Sequence, residues 1–577
     1  MKSPARSIKS LLTRPIRLPR LTPYVPHADD PPIFWFNSER DDIVREVTTR
    51  TVEARASDGR PLEYVLNEVA WDELRRLESQ RDDEARENLP FWRQTTRRLA
   101  RMSESEKRAV LESICQHMAK DVAGNFDARV YQFATGVVPR VLTGVMKPSA
   151  VPEDIMHMGT GIHAVDELLK TDGDVERLRK LAKRGTLVFV PTHSSNLDSI
   201  ALGYCLMREK LPPVVYGAGK NLFTNPIVSF FMHNLGAYRV DRRIRAALYK
   251  DVLKTYSTVM LERGYHSLFF PGGTRSRSGM VERRLKLGLA GTAVEAFARN
   301  RVRGIARPIF FVPTTINYAL VMEAESLIED WLKEAGRARY IIEDDEFASV
   351  DRWVSFFRKV SSSASACVIR FGTPVDPFGN EVDEQGRSVT PDGRAIDPGT
   401  YVLRDGTPTI DARRDAAYTR EMGTLLTAHY ERETVIMATQ LVMHVLFRRL
   451  VMHTPGIDLF GRLRHRGEVT VQRSELVSEI GVARDRLREL ASTGAVRVSE
   501  LVHSASPDEL LDRVLAALDG YHRRVIITAD AGVVTLEDPT MALYYQNRLN
   551  AYAERIAGER EQRAAREIAR IGMGGGA

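Results

Sequence analysis

Four short segments constrain this chain more than any other feature: TLVFVP (186–191), SLFFP (267–271), RPIFFVP (307–313) and ACVIRF (366–371). Each carries an apolar run of strand length, without the alternation of a strand that has one wet face. Longer stretches of helical spacing lie between them, for example 243–263 and 286–299. Strands that alternate with helices predict an α/β domain with a largely parallel sheet, because parallel neighbours need a crossover. Folds of this kind place their sites beyond the carboxyl ends of the strands, so the polar residues after each run are the first candidates.

The flanks read differently. Residues 1–60 are rich in Pro and Arg and predict an irregular arm. From about 61 to 150, Leu62, Val65, Leu66, Val69 and Leu74 recur at helical spacing, and Ser103 with Glu106 forms a capping box, predicting an N-terminal helical domain. The α/β domain is expected over 151–376. Residues 377–412 are dense in Asp, Gly and Pro and predict a turn-rich insertion with a hairpin. A C-terminal, mainly helical region follows over 413–577. The fold class expected is thus α/β, with a largely parallel sheet flanked by N-terminal and C-terminal mainly helical regions.

Charge narrows the partners. The 577 residues carry a formal net charge of +7, and Lys2, Arg6, Lys9, Arg14, Arg17 and Arg20 supply six of those charges within an acid-free segment. The remainder is nearly balanced, so the overall basicity gives little support to a nucleic-acid role. Arg14 and Arg17 interrupt what would be the apolar run of a signal peptide. The arm has two readings: a solvated tail, or a contact for an anionic membrane surface. No segment has the roughly 20 apolar residues of a spanning helix. The nearest, 221–238 and 435–447, are broken by Asn and Pro or too short. The three cysteines, Cys115, Cys205 and Cys367, are far apart and fit a reducing compartment. The expected location is the cytoplasm, peripherally at the inner face of the membrane.

The first run is followed by His193-Ser194-Ser195-Asn196-Leu197-Asp198. A His and an Asp five residues apart, across a turn that opens a helix, are able to touch, and an imidazole needs an orienting anion to act as a base near neutral pH. The alternative is an Asp that caps a helix beside an unrelated His. The second run leads into Gly272-Gly273-Thr274-Arg275-Ser276-Arg277, where glycines expose backbone N–H groups and two guanidiniums suit a phosphate. The alternative is a solvated basic loop. Two further segments are Gly236-Ala237-Tyr238-Arg239-Val240-Asp241-Arg242 and the strand end Val312-Pro313.

In this order the four segments resemble the blocks of the glycerolipid acyltransferase superfamily: an HxxxxD pair, a Gly-aromatic-Arg segment, an FPEGTRSR-like loop and a strand ending in proline. The length of both flanks is similar to the large bacterial glycerol-3-phosphate acyltransferases, and 541–547 (MALYYQN) is similar to the Tyr-Arg-Asn stretch near their end. The resemblance implies His193 as general base and Asp198 as its orienting acid. It implies that Arg242, Gly273, Thr274, Arg275, Ser276, Arg277 and Pro313 bind substrate. It also implies an acyl donor, either acyl-CoA or acyl-carrier protein, as co-substrate, a phosphate-bearing glycerol acceptor, and neither metal nor cofactor.

The loop departs from the family pattern at Gly272, where a Glu associated with acceptor binding is usual. A changed acceptor pocket, compensation by another acid such as Asp241, or lost activity are the open readings. Val240-Asp241-Arg242 is closer to the lysophosphatidate type. The expected reaction is acylation of the sn-1 hydroxyl of glycerol-3-phosphate. The alternatives are a lysophosphatidate or dihydroxyacetone-phosphate acyltransferase and a non-catalytic lipid-surface protein. Residues 474–498 also predict a helix, a Gly turn, a second helix and a strand, as in a winged helix, but their balanced charges disfavour phosphate-backbone binding.

Overall fold

The computed structural model describes residues 24–79, 83–132, 169–219, 230, 232–241, 243–335 and 367–574. Its centre is a seven-stranded sheet in the order β1-β7-β6-β2-β5-β3-β4, built from β1 (Leu169–Asp172), β2 (Thr186–Pro191), β3 (Val215–Gly219), β4 (Ala237–Val240), β5 (Ser267–Leu268), β6 (Ile309–Tyr318) and β7 (Cys367–Phe371). Five of the six strand pairs are parallel; β7 runs antiparallel to β6. Every residue of β2 and of β6 is buried, which is why both read as unbroken apolar runs.

Among the described residues four α-helices precede the sheet: α1 (Phe36–Ser57), α2 (Leu62–Glu78), α3 (Asp83–Arg98) and α4 (Glu104–Val122). The capping box at Ser103 and Glu106 is present at the start of α4. Within the sheet domain come α5 (Val175–Ala182), α6 (Asp198–Arg208), α7 (Ala247–Glu262), α8 (Ala290–Val302) and α9 (Ala324–Ala335). The longer helices after it, among the described residues, are α10 (Ala412–Glu433), α11 (Ala438–His453), α12 (Arg473–Ser492), α13 (Pro507–Leu518), α14 (Pro539–Gln546) and α15 (Gln562–Gly574).

Two expectations are corrected. Residues 1–60 are not irregular throughout, because α1 occupies 36–57. Its Phe36, Ile43, Val44, Val47 and Val52 are buried in one cluster with α4 and α7. The prolines of this stretch all precede α1, and residues 1–23 lie outside the described residues. Likewise 474–498 does not hold two helices about a Gly turn. Leu476, Ile480, Ala483 and Leu487 form one buried stripe of α12, continuous through Gly481, where Pro507 packs at 3.3 Å from a hypothetical Cβ. A single stripe favours one helix over a turn.

Three adjacent parallel strands, β6, β2 and β5, end side by side. Their carboxyl ends deliver three loops to one place, and this positions the site.

Candidate active site

The loop after β2 turns directly into α6, and Asp198 is the first residue of that helix. Its carboxylate accepts hydrogen bonds from the backbone N–H groups of Ser194 (2.6 Å) and Ser195 (3.0 Å), and its Oδ2 lies 2.8 Å from His193 Nδ1. Asp198 is completely buried, whereas His193 keeps 15% of its side chain exposed. Two backbone N–H groups at a helix N-terminus thus hold the acid in place. The His193 ring stacks on Phe270, with centroids 4.2 Å apart and an interplanar angle of 26°. With Nδ1 turned to Asp198, Nε2 is the nitrogen left to exchange a proton.

The loop after β5 docks on the same backbone. Ser276 N–H donates to His193 O at 2.7 Å, and Lys286 N–H donates to Pro271 O at 2.6 Å, closing the loop at its base. Gly273 adopts φ +70°, which a residue with a side chain disfavours. Thr274 is exposed. Arg275 does not stand free: its guanidinium lies 3.3 Å from Glu323, a buried acid that also accepts from Ser195 Oγ (2.9 Å) and Asn196 N–H (3.0 Å). Burial raises the Glu323 carboxyl, opposed first by Arg275. Arg277 pairs with Glu334 of α9 at 2.8 Å.

One expected site residue lies within the sheet. Pro313 is buried within β6, in register with Val190, and supports the strand from inside the sheet. Arg242 lies outside the described residues. Asp241 is not the acid beside Gly272, since it accepts from the backbone and guanidinium of Arg243. That place belongs to Glu282. A Cβ built on Gly272 would stand 2.6 Å from Glu282 Oε2, so the glycine does not leave an open space. Glu282 Oε1 accepts the His193 N–H at 2.6 Å. Burial pushes its carboxyl up to about 8, against the pull of that N–H and of Arg548.

Arg548, just beyond α14, completes the surroundings. Its guanidinium is buried, donates to Ser194 Oγ at 3.0 Å and to Met280 O at 3.5 Å, and has no carboxylate within 4 Å among the described residues. Beside it, Asn547 Nδ2 donates to Ser278 O at 2.8 Å. Glu282, Glu323 and Arg548 escape a sequence reading because their partners are 89, 127 and 354 residues away. The one available signal for Glu282 was an acid ten residues beyond an unexpected glycine. No group of acids, His and Cys among the described residues has the form of a metal site. A cavity of about 570 Å³ lies in the N-terminal helical region, lined by Arg76, Trp92, Met118 and Tyr249 among others, and none of the residues above borders it.

A strand-end imidazole thus meets a buried carboxyl group beside a Gly-rich basic loop. Residues 173–317 match the family model described as Acyltransferase. A glycerol-3-phosphate acyltransferase of Histophilus somni is 33% identical over 159 residues, which cover 27% of this chain and 19% of that protein. One from Pseudomonas paraeruginosa is 31% identical over 155 residues, covering 27% and 18%. The match therefore spans less than a fifth of these relatives' length. A crystal structure of the 1-acyl-sn-glycerophosphate (LPA) acyltransferase PlsC from Thermotoga maritima aligns with 44% of this chain and 86% of that one, at 17% identity and a TM-score of 0.22, too low to carry a conclusion. Residues 173–317 are thus similar to an acyltransferase domain and to part of proteins named glycerol-3-phosphate acyltransferase.

Proposed function

We propose that this chain is an acyltransferase that moves a fatty acyl group from acyl-CoA or acyl-carrier protein to the sn-1 hydroxyl of glycerol-3-phosphate. The observation that carries the reading is the 2.8 Å contact between His193 Nδ1 and Asp198 at the end of β2. His193 Nε2 takes the acceptor hydroxyl proton as the oxygen attacks the thioester carbonyl. The new C–O bond forms, the tetrahedral intermediate collapses, and the C–S bond breaks. The departing thiolate recovers the proton from Nε2, while Asp198 stabilises the imidazolium in between. No covalent enzyme intermediate is needed. Arg275 and Arg277 offer guanidiniums for the acceptor phosphate, which would exchange their present carboxylate partners for it. Fixing the phosphate orients the hydroxyl against the imidazole.

The chain meets the membrane peripherally, at its inner face. The six-cation arm supports this, as does the finding that no helix among the described residues is long and apolar enough to cross a bilayer. Nucleic acid is not a partner in this reading.

The test is an acyl-transfer assay that crosses both donors with glycerol-3-phosphate, dihydroxyacetone phosphate and lysophosphatidate. His193→Ala is expected to lower turnover by about 10²–10⁴ while the fold is kept. Wild-type turnover in that variant would refute the mechanism. Preference for lysophosphatidate would refute the acceptor.

A further inference from the structure

Position 272 and Glu282 share one space. Gly272 does not adopt positive φ, unlike Gly273 beside it, so the glycine serves room and not backbone conformation. The room is filled by a carboxylate: a Cβ on Gly272 would stand 2.6 Å from Oε2, 2.9 Å from Cδ and 3.2 Å from Oε1 of Glu282. The hairpin between them is tied by Ser276 Oγ donating to Met280 O (2.9 Å) and closed by Lys286 N–H on Pro271 O. That closure folds position 282 back over position 272. Glu282 Oε1 then accepts the His193 N–H, and Oε2 is buried without a hydrogen-bond partner among the described residues.

Filling a space does not call for an acid. A buried carboxyl is unfavourable where an apolar side chain of equal volume would serve. What Leu cannot do at 282 is accept the His193 N–H. That bond sets where the His193 backbone stands, from one side, while Ser276 N–H holds the His193 carbonyl from the other.

We propose that Glu282 is the positioning residue of this site, supplying from ten residues downstream the carboxyl group that loop position 272 lacks and holding the His193 main chain so that the imidazole meets the acceptor hydroxyl. This rests on the acyl-transfer reading above. It also predicts that the two positions are interchangeable carriers of one acid.

The test uses the full-length protein and four variants: Glu282→Leu, Glu282→Gln, Gly272→Glu and the double variant Gly272→Glu/Glu282→Ala. Turnover, the KM of each substrate and the thermal midpoint are measured for each. Glu282→Leu keeps the volume and removes the acceptor, so kcat should fall by about 10²-fold while the KM of the acyl donor is unchanged. Glu282→Gln keeps a carbonyl that accepts the N–H and should retain most turnover. Gly272→Glu alone forces two carboxyls into one space and should lose turnover. The double variant, with the acid moved, should recover most of it. A packing role predicts the opposite ranking of Leu over Gln, and that ranking would overturn the proposal. So would a double variant no faster than Gly272→Glu when both are folded. If the wild type acylates none of the acceptors, the acyl-transfer reading fails, and the positioning role is then read from the rate at which diethyl pyrocarbonate modifies His193. Glu282→Leu should change that rate, and Glu282→Gln and the double variant should restore it; equal rates in all would refute the role.

Discussion

The two helical regions that flank the sheet differ in what they touch. The N-terminal region packs on the sheet's far edge. Asn125 O accepts from Gly236 N–H at 2.9 Å, Asn37 hydrogen-bonds the Phe126 backbone, and Arg50 of α1 makes a two-point contact with Glu262 of α7 at 2.7 and 2.8 Å. None of its residues hydrogen-bonds the His193 loop or the 270s loop among the described contacts. The C-terminal region packs on the strands that carry the site. Tyr430 of α10 donates to Val190 O at 2.9 Å, and Arg548 and Asn547 reach the loops of His193 and Ser278. Similar secondary structure therefore serves two ends: one region buttresses the sheet, and the other forms a wall of the site.

The largest effect that separates them should come from paired arginine substitutions. Arg548 is buried without a carboxylate partner, and burial lowers its pKa. An uncompensated buried charge destabilises a fold, so one that persists serves something other than stability. Arg548→Met is expected to cut turnover by about 10²-fold through the displaced Ser194, whose hydroxyl the guanidinium holds, without lowering the thermal midpoint. Arg50→Met removes one of several partners of the buried Glu262, with Arg303 still 3.0 Å from it. It should destabilise by about 1–3 kcal/mol and leave kcat unchanged. Kinetics and thermal unfolding on the two variants decide this. Loss of turnover in Arg50→Met, or its retention in Arg548→Met, would erase the distinction.

What the sequence disclosed follows the same division. The His193 and Asp198 pair is local, five residues apart, and β2 spans the residues that its apolar run marked. Those features need only chain geometry. Of the apolar run 435–447, too short for a membrane span, residues 435–436 form a short strand and 438–447 lie in α11, in which 14 of 16 residues are buried. A helix apolar on all sides is an interior helix, but the run does not say whose interior it enters. The segment 541–547 marked a place near the site, yet the residue that arrives, Arg548, lies one position beyond it. The departure at Gly272 was visible, while the acid that fills its space was not, because the hairpin that returns Glu282 is a tertiary feature. Arg275 was legible as a cation; that Glu323 holds it depends on the loop after β6 ending beside β2.

Mild acid should sharpen the comparison by a smaller amount. His429, His444 and His522 all belong to the C-terminal region, and burial depresses them from 6.5 to about 4, 3 and 3. The unfolded chain binds protons at these positions before the folded one does. Their contribution to stability is therefore complete above pH 6.5 and is lost as pH falls toward the folded values, by roughly 1.4 kcal/mol per pH unit for each imidazole. Glu282 has the reverse sign: its raised pKa favours the fold at low pH and loses that contribution as pH rises through about 8. Hydrogen exchange at pH 7 and pH 5 should show protection falling first in α11 and around His522, before α1 and α4. Uniform loss across both regions would mean that they unfold as one unit.

The smallest effect concerns how the C-terminal wall is fastened to the sheet. The Tyr545 hydroxyl lies 2.7 Å from His522 Nε2 and accepts the Val321 N–H at 3.3 Å, so one oxygen joins α14, the loop after α13 and the segment that follows β6. Tyr545→Phe keeps the ring and its packing but strands two buried polar groups, a loss of about 1–3 kcal/mol. Val321 is two residues from Glu323, so the substitution also tests whether this fastening reaches the site. Glu323 is independently held by Ser195, Asn196 and Arg275. Those three bonds fix the carboxylate whatever happens to the backbone two residues earlier, and so the thermal midpoint should drop while kcat and the acceptor KM stay at wild-type values. A rise in acceptor KM in Tyr545→Phe would show that Glu323 and Arg275 are set from the C-terminal region as well, and that the wall acts on the site through more than Arg548.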